Sequence, residues 1–422
     1  MKSRLLLLTI LAAVLTGCGV QRLVPASAPL DSTSFASIHP DYQPLARTIA
    51  ENTSYLPREG NDFRVVYGSD EKLQVLLRDI HSADSSVYVE LFRINKGPVS
   101  DTVYTSLSQR AKDSLDVRLL PERFSHMPWQ RFDYRKLRRS GVALEEWHPR
   151  WHPFSNLWEF NRRNHRKLTI FDGSVGYIGG RNIADKYFTE WRDEDIRIAG
   201  PVVRDLTDAF RRDWKTAGGK TEVPEIRESV RDTLPGAFRN KTMQLVLDGP
   251  AERFHCIEYS HMWALEHAQK EVYLMTPYLA PPRKLLEAMK AAARRGVDVR
   301  LLLPEDSDVT FTPPLAWTYF KDLLEAGVRV YLTGGGMLHS KVFVMDDYLY
   351  SVGSANLDFC SFRTNYESNM LIYDSEAAIA RKKALLDELA ATSREITIDD
   401  VRGRPFLRRI NGWIIRLFVR LI

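Results

Sequence analysis

The chain has 422 residues, 44% hydrophobic and 27% charged, the composition of an ordinary globular protein with length enough for two cores. Its 59 Lys and Arg against 54 Asp and Glu leave a net charge of +5, too dilute over this length to argue by itself for a nucleic-acid partner. The cysteines form no cluster with His at zinc-ligand spacing, so a structural metal is not supported.

In chain order, Met1 to Cys18 begins with Lys2 and Arg4, runs apolar from Leu5 to Leu15 and closes on Leu15-Thr16-Gly17-Cys18. This reads as an export signal. Its end resembles a bacterial lipobox, which makes Cys18 the lipid-bearing mature N-terminus. The alternative is an uncleaved signal anchor, although the apolar run is short for a full span. Either reading tethers the body to the cell envelope, on its periplasmic or outer face. Residues 19–60, with Pro25, Pro29, Pro40, Pro44 and many Ser and Thr, read as a linker.

Beyond the linker the chain reads twice, as domains over 61–220 and 240–400 with a Gly- and Pro-rich seam near 216–240. Residues 86–91 are a buried-strand run, followed by a helical stretch to about Lys112 and a strand over 117–120 closed by Pro121. Residues 271–275 are the matching strand, 283–295 the helix, and 297–303 the strand closed by Pro304. Strand, helix, strand implies parallel pairing and an α/β fold. A Gly-led strand follows in each half, at 141–144 and 327–330. Cys256 and Cys360 read as small buried hydrophobes, with no pairing implied.

Each half then carries His-x-Lys with an Asp five residues beyond the Lys: His165, Lys167 and Asp172; His339, Lys341 and Asp346. The flanks recur in step. Asn182 and Asn356 each lie 17 positions after their His, and Asp193 and Glu367 each lie 28 after it. Gly179-Gly180 and Gly353-Ser354 share a register. Core packing predicts recurrence of apolar positions, and has no reason to keep five kinds of polar landmark in register.

Two such motifs are the signature of the phospholipase D superfamily, which this chain resembles. The fold implied is a pair of duplicated α/β domains about a pseudo-twofold axis with one active site between them. His and Lys two apart on a strand would project from one face, so two motifs would surround one phosphodiester with two imidazoles and two ammonium groups. One His attacks phosphorus and the other protonates the leaving alkoxide. Lys167, Lys341, Asn182, Asn356 and the Ser354 hydroxyl would meet the phosphoryl charge in place of a metal, so neither metal nor cofactor is expected. Asp193 and Glu367 would each orient the His of their own half, with Asp195 a rival to Asp193. Asp172 and Asp346 enter as candidate catalytic residues, although their strand-to-turn positions suit turn capping as well. The family resemblance implies His165 as nucleophile and His339 as acid.

Several phrases resemble bacterial cardiolipin synthases: His165-Arg166-Lys167-Leu168, Gly179-Gly180-Arg181-Asn182, Trp191-Arg192-Asp193, Thr276-Pro277-Tyr278 and 352–358. What this implies is a phosphatidyltransferase that passes a phosphatidyl group through a phosphohistidine to phosphatidylglycerol, with phosphatidylethanolamine a further candidate substrate. A hydrolytic phospholipase D is the nearest alternative, followed by a nuclease or a non-catalytic lipid-binding lipoprotein. Phe124, Trp129, Tyr134, Trp147, Trp151 and Trp158, among Arg and Lys, suit a mouth at a lipid interface, and no nucleic acid is expected. Residues 401–422, basic and apolar, read as an amphipathic helix lying on an anionic membrane, the alternative being a helix docked on the body.

Overall fold

The computed structural model describes residues 32–67, 69–123, 125, 134–147, 162–224, 236–250, 252 and 254–417. The export signal and Cys18 lie outside the described residues. The first half supplies β1 (Arg58–Val66), β2 (Ser86–Leu91), β3 (Asp116–Pro121), β4 (Ala143–Leu144), β5 (Leu168–Phe171), β6 (Val175–Gly179) and β7 (Asp195–Ala199). The second supplies β8 (Phe238–Asp248), β9 (Glu271–Met275), β10 (Leu279–Ala280), β11 (Asp298–Pro304), β12 (Arg329–Thr333), β13 (Val342–Met345), β14 (Leu349–Gly353), β15 (Leu357–Asp358), β16 (Glu367–Tyr373) and β17 (Ser393–Ile396).

Fifteen of these strands form one sheet, whose order outward from β1 is β1-β7-β6-β5-β2-β3-β4 and outward from β8 is β8-β16-β14-β13-β9-β11-β12-β17. The two orders match strand for strand, with β17 added at one edge. A pseudo-twofold axis therefore passes between β1 and β8, which pair antiparallel. As the strand-helix-strand pattern implies, β2 and β3 pair in parallel, as do β9 and β11. Every residue of β2 is buried, which is why 86–91 reads as a continuous run and not an alternating one. A hydrophobic cluster crosses the seam, with Phe63, Ile196, Leu245 and Met370 all buried in it, so the halves share a core.

The linker expected over 19–60 does not extend through its described part. Gln43–Thr53 is a helix whose Leu45, Ala46, Ile49 and Ala50 are buried in the core of the second half. Gln244 Nε2 fastens it by donating to Ala46 O and Tyr55 O. Pro and Ser around this segment suggest a spacer, while the apolar positions at i, i+1, i+4 and i+5 form one helix face that composition alone conceals.

At the other end, the Phe406–Arg416 helix docks on the Thr312–Glu325 helix. Gly412 allows the close approach, since a Cβ there would lie 2.5 Å from Pro314 O. Arg416 donates to Thr318 O and covers the Tyr319 ring. The helix is thus docked on the body through small and basic residues, and its Phe406, Leu407, Trp413, Ile414 and Leu417 remain exposed. Cys256 and Cys360 are both buried. Of the aromatic residues assigned to a lipid mouth, Tyr134 and Trp147 are instead core, Trp147 standing edge-on to Tyr366. Phe124, Trp129, Trp151 and Trp158 lie outside the described residues.

Candidate active site

The two His-x-Lys segments do not lie on strands; they are the extended lead-ins to β5 and β13. Each is held beside the acidic segment of the other half. Asn164 bridges Tyr366 and Leu338 bridges Arg192, both in parallel. His165 N donates to Tyr366 O at 2.8 Å, and His339 N donates to Arg192 O at 2.7 Å.

This crossing overturns the expected pairing of each acid with its own His. Glu367 holds His165, its oxygens 2.9 and 3.0 Å from Nδ1, and Asp193 holds His339, with Oδ2 2.6 Å from Nδ1. Equal spacing in the two halves cannot reveal the exchange, because a twofold axis preserves it. The rival Asp195 is taken by Lys72.

Both imidazoles line one cleft of about 260 Å³, together with Phe92, Arg93, Tyr187, Tyr278 and Asp308. The Phe92 ring stands edge-on to His165. Tyr187 and Trp191 box His339, with ring centroids at 5.2 and 5.0 Å. With Nδ1 committed to a carboxylate, Nε2 of each ring is the reactive nitrogen. Burial pushes His165 down to about 4 against the pull of Glu367, and pushes His339 down to about 3 with Lys341 adding to the effect. Both imidazoles are therefore neutral at neutral pH. Burial would raise the Asp193 carboxyl, but His339 and Lys341 outweigh it and leave it at about 2.

Lys167 and Lys341 each donate from Nζ to the carbonyl of their own His. Lys341 Nζ also lies 2.8 and 3.1 Å from the His339 ring nitrogens. Burial lowers both ammonium groups, Lys341 to about 8. Asn182 and Asn356 line the cleft. Asn182 Nδ2 donates to the Tyr187 hydroxyl at 2.8 Å, which frees the hydroxyl proton to be donated onward.

Ser354 departs from its expected part in binding phosphate. Its hydroxyl donates to Glu367 and accepts from Ser368 N, so it positions the carboxylate that holds His165. Gly180 occupies the matching register in the first half, where a Cβ would fall 2.4 Å from Asp193 Oδ1. The difference between Gly and Ser at these two positions thus follows the difference between Asp and Glu beside them.

Asp172 and Asp346, catalytic candidates by motif, take no part in the cleft. Asp172 accepts from the backbone N–H of Asp84, Ser85 and Ser86, and Asp346 from those of Gln269, Lys270 and Glu271. Each sits at the far end of β5 or β13 with positive φ, 52° and 49°. Seven residues of extended chain from the His put them roughly 20 Å from it. Tyr187, Asp308 and Arg93 are cleft residues without a signal in the sequence, because each occurs in one half only. Tyr278 and Trp191 were visible within family-like phrases, without a role. Among the described residues no group of three or more His, Cys, Asp or Glu is placed to hold a metal ion.

A family model described as cardiolipin synthase, PLD-like domain, matches residues 76–214 and 262–387, one stretch in each half. The chain belongs to this family. It is 32% identical over 351 residues to a cardiolipin synthase of Staphylococcus aureus, covering 81% of this chain and 70% of that one. It is also 32% identical over 383 residues to the major cardiolipin synthase ClsA of Bacillus subtilis, covering 89% and 79%. In fold it resembles a phosphatidylserine synthase of Haemophilus influenzae, with a TM-score of 0.68 at 15% identity over 90% of this chain and 97% of that one. It is an enzyme of the phosphatidyltransferase class, with the duplicated α/β architecture of phospholipase D-like proteins and phospholipid substrates.

Proposed function

We propose that the protein makes cardiolipin by moving a phosphatidyl group through His165 onto the terminal hydroxyl of phosphatidylglycerol. The observation that carries this reading is the pair of imidazoles on one cleft, each backed by a carboxylate from the opposite half. His165 Nε2 attacks phosphorus as the bond to the leaving alkoxide breaks and that oxygen takes a proton from His339. The acceptor hydroxyl then yields its proton to His339 and attacks the same phosphorus, breaking the P–N bond. The phosphodiester supplies the negative charge that favours imidazolium at His339, offsetting the burial that lowers it. Lys167 and Lys341 meet the charge on the non-bridging oxygens.

The asymmetry of the two rings supports His165 as nucleophile. Both His339 nitrogens lie within 3.1 Å of Lys341, whereas only Nδ1 of His165 is engaged among the described residues. We also infer that the enzyme works at a membrane surface in the cell envelope, tethered through Cys18 or an uncleaved anchor. The exposed apolar residues of the Phe406–Arg416 helix support the surface part of that reading. Purified protein given phosphatidylglycerol alone, then with phosphatidylethanolamine added, should release glycerol and form cardiolipin. Phosphatidic acid as the sole product would favour hydrolysis and overturn the transfer reading.

A further inference from the structure

Making cardiolipin brings two lipid phosphodiesters into one site, and the twin His-Lys motifs provide for one of them. The second belongs to the acceptor. In phosphatidylglycerol the attacking hydroxyl is separated from its own phosphate by three carbons, so the second phosphorus lies roughly 5–6 Å from the attacking oxygen by ordinary bond lengths. A phosphate anion in a partly enclosed cleft requires a cation or several donors.

Nearly every cation near the site is already engaged. Arg166 pairs with Asp213, Arg192 with Glu388, and Lys186 with Asp308. Arg181 donates to Tyr67 O and Asp193 O, and Arg163 lies 3.7 Å from a Glu122 oxygen. Lys167 and Lys341 stand at the histidines.

Arg93 differs from all of these. It lines the cleft, yet makes no ion pair among the described residues. Its Nε donates to Ser125 O at 3.2 Å, which fixes the guanidinium plane and leaves both terminal nitrogens for a ligand. Its backbone N–H donates to Asn182 Oδ1 at 2.9 Å, so the residue is tied to the motif that carries His165. Its charge also reaches Tyr187, Tyr278 and Asp308, which line the side of the cleft next to His339. On that side an acceptor must enter to attack opposite His165. Of the carboxylates that line the cleft, Asp308 is occupied by the Tyr278 hydroxyl at 2.6 Å and by Lys186, and Asp358 accepts from Ser361 N at 2.7 Å.

We propose that Arg93 holds the phosphate of the acceptor lipid, presenting a two-pronged guanidinium to its oxygens, and so selects a phosphorylated alcohol over a simple one. The inference rests on the transfer reading above. Arg93 binds the acceptor and takes no part in forming the phosphohistidine.

The test is a competition between acceptors. Wild-type protein and the Arg93→Gln and Arg93→Lys variants are given phosphatidylglycerol vesicles with butanol, and cardiolipin and phosphatidylbutanol are quantified together. The ratio of cardiolipin to phosphatidylbutanol should fall at least tenfold in Arg93→Gln, through a raised KM for phosphatidylglycerol as acceptor, and recover in part in Arg93→Lys. Equal loss of both products would assign Arg93 to the donor phosphate or to folding, and an unchanged ratio would leave it no part in acceptor choice; either result overturns the proposal. Wild-type protein that forms phosphatidylbutanol and never cardiolipin would instead sink the transfer reading itself, and this inference with it.

Discussion

Single residues set the protonation of the site, and their shifts predict its pH dependence. Burial holds His165 near 4, so its neutral, nucleophilic form is present above that pH and lost below it. Lys341, lowered from 10.5 to about 8, keeps its charge below pH 8 and loses it above. Measured with a phosphatidyl ester of p-nitrophenol, whose leaving group needs no proton from His339, the kcat/KM profile, which reports groups of the free enzyme, should therefore rise through a limb near 4 and fall through an alkaline limb set by Lys341 near 8 together with Lys167, which burial also lowers. Lys341→Arg should remove the part of the alkaline limb that Lys341 sets, because a guanidinium stays charged, and leave the part that Lys167 sets. A profile turning near 6.5, as an exposed histidine would give, would contradict this account of the site. Residue types were the most legible layer of the sequence. His165, Lys167, Asn182, Asp193 and their counterparts recur in register, and all but Lys167 and Lys341 among these polar landmarks either line the cleft or hold a ring that does. Arg93, Tyr187 and Asp308 were not legible, since each occurs in one half only and repetition was the signal being read.

At the scale of elements, the duplicated motif contains a part that is structural. Asp172 and Asp346 close the ends of β5 and β13 by accepting three backbone N–H groups each, which ties those strands to the starts of β2 and β9. Asp172→Asn keeps a residue that tolerates positive φ while removing the charge. It should lower stability by about 1–3 kcal/mol, measured by denaturant unfolding, and leave kcat of the folded protein unchanged. A large fall in kcat without loss of stability would return Asp172 to the chemistry. The strand-helix-strand order and parallel pairing could be read from hydrophobic runs and Pro or Gly stops. The exchange of acids between halves could not, because it depends on the Asn164–Tyr366 and Arg192–Leu338 bridges, which join segments about 150 to 200 residues apart in sequence. The Gln43–Thr53 helix was obscured by the Pro and Ser that surround it, and its burial comes from contacts with the second half.

For the whole molecule, the C-terminal helix lays an apolar face on the outside of the body. The Phe406–Arg416 helix exposes Leu407 at 79%, Trp413 at 57% and Leu417 at 80%. It is docked on the Thr312–Glu325 helix, whose Thr312 and Leu315 line the cleft. An apolar, Arg-bearing surface so connected suits a bilayer that delivers lipid to the site. Replacing Leu407, Trp413 and Leu417 by Ser in a Cys18→Ala background should cut binding to phosphatidylglycerol vesicles at least tenfold in cosedimentation, since each buried apolar side chain contributes about 1.5–3 kcal/mol. Unchanged binding would remove this helix from the membrane contact.

The central claim is that the phosphatidyl group rests on His165 while His339 moves the protons. A phosphatidyl ester of p-nitrophenol tests it directly, because that leaving group departs without a proton and spares the first step its need for an acid. His339→Ala should release one equivalent of p-nitrophenol and retain labelled phosphatidyl, found by peptide mass analysis on His165, while His165→Ala retains none. Label on His339 in the His165→Ala protein, or no covalent label in either variant, would contradict the account.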